Sequence, residues 1–224
     1  MSAAAVLPLE RSSTASRVAT ALREELLAGL HAPGAPMRDV ELAARAGVSR
    51  PTMREALAEL ARDGLLVHAL HRGMEVVRLD TADVRDIYAA RLVIEQAGLV
   101  RLRATGATAF APLLNAAADM ADAEDRADRR RTVEADARFH DLLARAAGSL
   151  RLARAHAAAM LELRLVLSVT DRAHAAVDRQ APAHRALAIT LRDGNAAAAR
   201  EVLAAHLDQA RERVCTVIGA QVAS

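Results

Sequence analysis

The chain has 224 residues, of which 53% are hydrophobic and 1% aromatic, and its formal net charge is +2. A core of Ala, Leu and Val with almost no aromatic rings argues against a β-sandwich and favours closely packed helices. The single cysteine, Cys215, excludes an intramolecular disulfide, and no apolar run reaches membrane-spanning length. We therefore expect a cytoplasmic protein that has no membrane partner.

Residues 1–12 precede the first predicted element and are interpreted as a flexible N-terminal arm. Ser13 or Thr14 is predicted to cap the first helix, which leads into a loop rich in Pro and Gly. Asp39 is predicted to cap a short second helix that ends at Ala46.

The stretch that follows has the pattern of a winged helix-turn-helix, in which the second helix of the motif enters a DNA major groove. It reads ELAARAGVSRPTMREAL, and Gly47 supplies the turn between two helices. Ser49 is predicted to cap the second of them, which runs to about Asp63 and has Pro51 in its first turn. Two short β-rich runs around the sequence HRG then predict a hairpin, the wing. Residues 13–79 are therefore assigned to a DNA-binding domain.

The predicted DNA contacts cluster in the first turn of the recognition helix and in the wing. Arg50 and Arg54 are candidates for guanine or phosphate contacts, since arginine suits bidentate recognition of both. The alternative is that they solvate the helix and pair with acids such as Glu55. The other candidates, for phosphate or minor-groove contacts, are Arg38, Ser49, Thr52, His71, Arg72 and Gly73.

Residues 80–220 contain no strand signal and are predicted to form an all-α antiparallel bundle. The fold class is thus mainly α, with a winged helix-turn-helix at the N-terminal end. Six helices are predicted, near Thr81–Ala104, Thr108–Ala123, Thr132–Ala146, Leu150–Val169, Asp178–Arg192 and Ala196–Ile218.

Four polar side chains in the bundle fall on apolar helix faces. Asp136 and His140 are spaced i,i+4, and His184 and His206 lie at similar distances on either side of a predicted turn. An inward carboxylate is unfavourable unless it is compensated, and one Asp with three His suits a divalent cation. Zinc is the expected ion, with nickel or manganese as alternatives. His156 also lies on an apolar stripe and is a rival ligand, and each of these residues alone would more often be structural.

These motifs carry a family resemblance. Residues 14–78 resemble the DNA-binding domain of the GntR family of bacterial transcription regulators, in GVSR, REAL, GLL before the wing and RG at its tip. Pro51-Thr52 inverts the usual order, and Val40 stands where many members have a DNA-contacting arginine. Asp80–Leu207 resembles the FCD domain, the effector domain of the FadR subgroup.

The resemblance implies that Asp136, His140, His184 and His206 hold a divalent cation whose shell is completed by a small carboxylate metabolite. Arg91 matches an arginine that binds the effector's carboxylate, although it could equally form an ordinary ion pair with Glu95. Two further positions depart from the family pattern. Ser149 replaces an asparagine, which would alter effector choice, and Ala183 replaces an acid, which would weaken support for His184.

The expected function is a transcriptional repressor that binds a pseudo-palindromic operator as a homodimer, since one recognition helix covers only a half-site. A carboxylate effector bound at the metal would favour an arrangement of the bundle in which the two DNA-binding domains of the dimer no longer match the spacing of the operator. A metallo-enzyme is disfavoured because the sequence contains no HExxH motif and no obvious general base. A metal-free regulator that binds an acyl-CoA or another apolar effector remains the alternative.

Overall fold

The computed structural model describes residues 13–70, 72–170 and 180–222. The chain divides into two compact units, Met1–Arg78 and Leu79–Ser224. None of the described helices combines the length and the apolar character that crossing a membrane requires.

The first unit contains three helices and a two-stranded antiparallel hairpin. Leu66 of the first strand lies opposite Val76 of the second. The elements are α1 (Thr14–Leu27), α2 (Asp39–Ala46), α3 (Arg50–Arg62), β1 (Leu66–Ala69) and β2 (Gly73–Val76).

Short-range signals set the ends of these helices. The Ser13 side chain accepts from the backbone N–H of Ser16 and caps α1, as predicted. Gly47 has φ +64° and makes the left-handed turn between α2 and α3. The predicted cap of α2 is wrong by one residue: Arg38 occupies the cap position without a side-chain bond, and Asp39 is the first helical residue.

The apolar face of α3 lies in the core of the first unit. Ala56, Leu57 and Leu60 are buried, in agreement with the helical periodicity of the sequence. Their burial, together with that of Met53, leaves Arg50 and Arg54 exposed on the opposite face near the start of α3, where the predicted DNA contacts lie.

The second unit has six α-helices among its described residues, which confirms the mainly α fold. A 3₁₀ turn at Ala107–Phe110 precedes the second of them. The helices are α4 (Thr81–Thr105), α5 (Ala111–Asp125), α6 (Arg129–Ala146), α7 (Leu150–Thr170), α8 (Ala181–Asp193) and α9 (Ala196–Val222).

Two helix starts in this unit differ from the predicted ones. Helix α6 begins at Arg129 instead of Thr132 because the carboxylate of Asp128 accepts the backbone N–H of Arg131. Helix α5 begins at Ala111, after the 3₁₀ turn, and not at Thr108. The predicted start at Asp178 lies outside the described residues.

Helices α4 and α6 approach each other closely. A Cβ atom placed on Gly98 of α4 would lie 1.7 Å from the backbone oxygen of Leu143 in α6, so only glycine fits at this position. Phe139 and Leu143 of α6 are fully buried in the surrounding core. This close packing brings the polar residues of α4 next to those of α6.

Candidate metal centre and candidate nucleic-acid interface

Three histidines from three helices converge inside the bundle. Nitrogen atoms of His140 on α6, His184 on α8 and His206 on α9 lie within 4.8 Å of one another. The ring centroids of His184 and His206 are 4.5 Å apart, so the structure brings together the two histidines that flank the α8–α9 turn. His140 and His184 are buried, and His206 is half-buried.

The carboxylate of Asp136 lies next to two of these histidines, although the convergent group itself consists of the three rings. Its Oδ1 atom lies 3.0 Å from Nε2 of His184 and 3.9 Å from Nε2 of His140. The Asp136 side chain keeps 30% of its surface exposed, whereas those of the two histidines keep 1–2%. The carboxylate therefore forms the accessible side of the cluster.

The hydrogen bonds of the histidines direct their Nε2 atoms towards one another. Nδ1 of His140 donates to Oε2 of Glu95 at 2.7 Å, and Nδ1 of His184 donates to the backbone oxygen of Gln180 at 3.0 Å. In a neutral ring with Nδ1 protonated, the lone pair is on Nε2. The Nε2 atoms of His140 and His184 are 3.4 Å apart, and Nε2 of His184 also faces Oδ1 of Asp136 at 3.0 Å, a contact that requires either a proton or a cation between the two atoms. Ligand atoms bound to one zinc ion are about 3.3–3.4 Å apart in tetrahedral geometry. The spacing of the Nε2 atoms of His140 and His184 therefore fits a cation that both atoms bind.

The electrostatics keep Asp136 and His206 in the protonation states that metals bind. Burial alone would raise the pKa of Asp136, but the contact with His184 and the charges around it hold the pKa below its ordinary value. Burial lowers the pKa of His206 to about 3, and neighbouring His140 and His184 add to this shift. At neutral pH the cluster thus presents a carboxylate and a neutral His206, as metal binding requires.

Acidification of the metal-free protein from pH 7 to pH 5 is expected to lower the free energy of unfolding. His206 takes up a proton near pH 6.5 when unfolded, but only near pH 3 when folded, so acid favours the unfolded chain between these values. One such group contributes up to about 1.4 kcal/mol per pH unit. Urea denaturation in the presence of a chelator measures the effect, and His206→Gln should reduce it. An unchanged pH dependence in that variant would contradict the assignment.

Arg91 on α4 lies beside the cluster and is 2% exposed. Its Nε donates to Oε1 of Glu95 at 3.1 Å, and its guanidinium carbon lies 4.8 Å from the centre of the Tyr88 ring. Arg91 also lines the cavity that opens at the metal ligands. The ion pair with Glu95 therefore exists, and the arginine also reaches the cavity wall, while its contact with an effector stays a prediction.

Glu95 is a site residue that the sequence presents only as an i,i+4 ion-pair partner of Arg91. It is completely buried, and nearby His140 and Arg91 hold the pKa of its carboxyl well below the ordinary value despite the opposing effect of burial. His156, the rival metal ligand, donates from Nε2 to Oε1 of Glu95 at 3.2 Å and is not a member of the convergent cluster. Glu95 falls at helical spacing on the same face as the apolar residues Tyr88 and Leu99, a sequence signal that could have revealed its burial.

The cavity beside the metal ligands has a volume of about 530 Å³, within the range of small-molecule sites. Ser149, a predicted effector residue, lies outside its wall. The Ser149 hydroxyl instead accepts the backbone N–H of Leu152 at the start of α7. Polar and charged side chains in the wall include Tyr88, Arg91, Thr132, Asp136, His140 and His206.

The first turn of α3 presents the predicted DNA contacts in the first unit. Ser49 Oγ accepts the backbone N–H of Thr52 at 3.3 Å, and the two hydroxyls are 2.8 Å apart. Arg50 pairs with Asp39 of α2 at 3.3 Å, and not with Glu55, while its side chain stays 63% exposed. The Arg54 side chain is exposed and has no hydrogen bond or ion pair among the described residues.

The remaining predicted contacts lie on α2 and the wing. Arg38 pairs with Glu41 at 2.9 Å on the exposed surface. The Arg72 side chain is 78% exposed, and Gly73, with φ +83°, is the first residue of β2. His71 lies outside the described residues. Arg38 and Arg72 are therefore accessible to a partner.

Two protein families match the two units of the chain. Residues 14–76 match the bacterial regulatory proteins of the gntR family, and residues 86–209 match the FCD domain. The probable D-xylose utilization operon transcriptional repressor of Paenarthrobacter nicotinovorans is 31% identical over 201 residues, which are 89% of this chain and 88% of that protein. The gluconate operon transcriptional repressor of Bacillus licheniformis is 38% identical over 87 residues, 39% of this chain and 35% of that protein.

Solved structures show the same architecture. A GntR protein from Rhodococcus sp. RHA1 superposes with a TM-score of 0.73 at 28% identity, covering 89% of this chain and 96% of that one. McbR/YncC of E. coli superposes with a TM-score of 0.70 at 18% identity, covering 91% of this chain and 98% of that one, which supports the fold alone.

Proposed function

The chain belongs to the gntR family of bacterial regulatory proteins and carries an FCD domain, and on that premise we propose that it is a repressor controlled by a small carboxylate bound at a divalent metal. The family consists of transcription regulators, which confirms the prediction of a regulator over an enzyme. The observation that carries the proposal is the convergence of three histidines, with Asp136 next to two of them, beside a cavity that Arg91 also lines.

The proposed DNA contacts are made by α3 and the wing. Arg50 and Arg54 reach base edges or phosphates from the first helical turn, and the hydroxyls of Ser49 and Thr52 contact phosphate oxygens. Further contacts, proposed to phosphate or the minor groove, come from Arg38, His71, Arg72 and Gly73. The pairing with Asp39 supports this role for Arg50, because it restricts the side chain while leaving it 63% exposed.

A homodimer is proposed as the DNA-binding form. One recognition helix covers a half-site, and a two-fold dimer doubles the contacts and fixes the spacing between half-sites. The operator is accordingly proposed to be pseudo-palindromic.

The proposed metal ligands are Asp136, His140, His184 and His206, with zinc as the expected ion and nickel or manganese as alternatives. The bound cation supplies a Lewis-acidic position for one carboxylate oxygen of the effector. Arg91 supports the effector from the cavity wall, because the fork of its terminal N–H groups matches the geometry of a carboxylate.

The effector is proposed to change the affinity of the dimer for its operator. Such control requires that the effector bind the DNA-competent and DNA-free states with different affinities. By reciprocity, operator DNA changes effector affinity by the same factor.

Small carboxylic acids are expected to raise the melting temperature of the zinc-loaded protein. A ligand present at 100 times its Kd stabilises the folded state by about 2.7 kcal/mol. The primary amide of each active acid is the control and should give no shift, because it lacks the charge that the metal and Arg91 recognise. Arg91→Lys should reduce the shift, since lysine keeps the charge but loses the planar fork.

Two outcomes of this screen would contradict the proposal. A shift of equal size in protein stripped of metal would show that the cation does not bind the effector. A shift produced only by acyl-CoA compounds, independent of metal, would favour a regulator with an apolar effector.

A further inference from the structure

Glu95 connects three helices through one buried carboxylate. Its Oε1 atom accepts from Nε of Arg91 at 3.1 Å and from Nε2 of His156 on α7 at 3.2 Å. Its Oε2 atom accepts from Nδ1 of His140 on α6 at 2.7 Å. Both carboxylate oxygens are therefore used, and the side chain has no exposed surface.

We propose that Glu95 is a positioning residue of the metal centre, which fixes the proton of His140 on Nδ1 and thereby keeps Nε2 free for the cation. The inference rests on the metal site of the proposed function and extends it to a residue that is not itself a ligand. A carboxylate behind a metal-binding histidine orients the ring and increases its basicity.

The chemistry of the contact determines which nitrogen of His140 carries the proton. An ionised carboxylate can only accept, so the nitrogen that faces Glu95 at 2.7 Å must donate. The lone pair of a neutral ring is then on Nε2, which lies 3.4 Å from Nε2 of His184 and 3.9 Å from Oδ1 of Asp136. Glu95 therefore selects the tautomer in which His140 can join the cluster.

The other two contacts keep this carboxylate charged and in place. A buried carboxylate is strongly unfavourable unless it is paired and hydrogen-bonded, and Arg91 supplies the opposite charge. His156 adds a third donor, although its own Nδ1 atom is buried without a partner among the described residues. An unsatisfied nitrogen is a cost to folding, and among the described residues the bond to Glu95 is the one hydrogen bond that orients this ring.

The substitution Glu95→Gln tests the proposal because it keeps the size of the side chain and removes its charge. An amide nitrogen facing His140 would force Nδ1 to accept and would place the proton on Nε2, where it opposes metal binding. An amide oxygen facing His140 would turn the NH₂ group towards the donors of Arg91 and His156. Zinc affinity, measured by competition with a chromogenic chelator, is expected to fall about 10–100-fold.

Glu134→Gln is the matched control. Glu134 lies on α6 with an exposed side chain and pairs only with Arg130 among the residues that the structure describes, so zinc affinity should not change. Zinc binding by Glu95→Gln with the affinity of the unmutated protein would overturn the proposal. An unmutated protein that binds no zinc would instead contradict the metal site itself.

A spectroscopic measurement on the unmutated, metal-free protein tests the same idea even if Glu95→Gln fails to fold. The ¹⁵N chemical shifts of the histidine rings report which nitrogen is protonated. We expect His140 to show a protonated Nδ1 and a bare Nε2. The reverse assignment would overturn the proposal, and this readout does not depend on zinc affinity.

Discussion

Replacing Arg54 with alanine is expected to abolish specific DNA binding, and Arg50→Ala should have the same effect. Both side chains are exposed at the start of α3, and Arg54 has no ion pair among the described residues that would occupy it. A bidentate arginine contact to a base contributes about 1–3 kcal/mol, and a dimer that reads two half-sites loses about 2–6 kcal/mol. The operator can be selected from a random duplex library with the unmutated protein, and affinities compared by fluorescence anisotropy.

Arg62→Ala is the matched control for these variants. Arg62 lies at the other end of α3, where its Nε donates to the backbone oxygen of Ala58 at 3.3 Å. Its removal should leave operator affinity unchanged. The salt dependence adds a second readout, because loss of a phosphate contact lowers the slope by about 1, whereas loss of a base contact mainly relaxes sequence preference. Unchanged affinity and salt slope in Arg54→Ala would refute its proposed role.

Asp136→Ala is expected to remove most of the metal affinity of the second unit. The carboxylate is the only anionic member of the proposed ligand set, and its Oδ1 atom lies within 4 Å of Nε2 of both His140 and His184. Loss of a ligand should cost more than the about 10–100-fold that follows from altering a residue behind a ligand. Metal content after gel filtration and chelator competition with zinc, nickel and manganese would measure the change.

Asp119→Ala is the appropriate comparison for this variant. Asp119 is exposed and pairs with Arg138 at 2.7 Å, so its removal changes the charge of the same unit without touching the cluster. Metal retained by Asp136→Ala at the level of Asp119→Ala would overturn the ligand assignment. Operator binding by metal-free Asp136→Ala would show in addition that the first unit remains folded.

Signals that act over a few residues made much of this architecture predictable. Ser13 and Ser49 cap helices and Gly47 turns the chain because their preferences depend on local backbone geometry. Helical periodicity likewise placed His140 and His184 on inward faces, and both are buried. The family and the fold class followed from these patterns and are confirmed by the comparisons.

Residues whose roles depend on packing between helices were harder to predict. In the sequence, Glu95 appears only as the i,i+4 ion-pair partner of Arg91. Its bond to His140 forms because α4 and α6 pack together. Ser149 was assigned to the effector by family pattern, whereas its hydroxyl meets the backbone of Leu152. Periodicity alone made His156 a possible metal ligand, whereas its Nε2 atom donates to Glu95 on another helix.

The absence of a side chain at Gly98 limits which substitutions this centre tolerates. A methyl group there would meet the backbone oxygen of Leu143 at 1.7 Å and wedge the two helices apart. Glu95 and His140 lie one turn away from that contact on the same pair of helices, so the wedge would stretch the bond between them. Gly98 therefore controls the alignment of Glu95 with His140 although it carries no functional group. Its replacement would disturb the centre as a substitution of one of these two residues would.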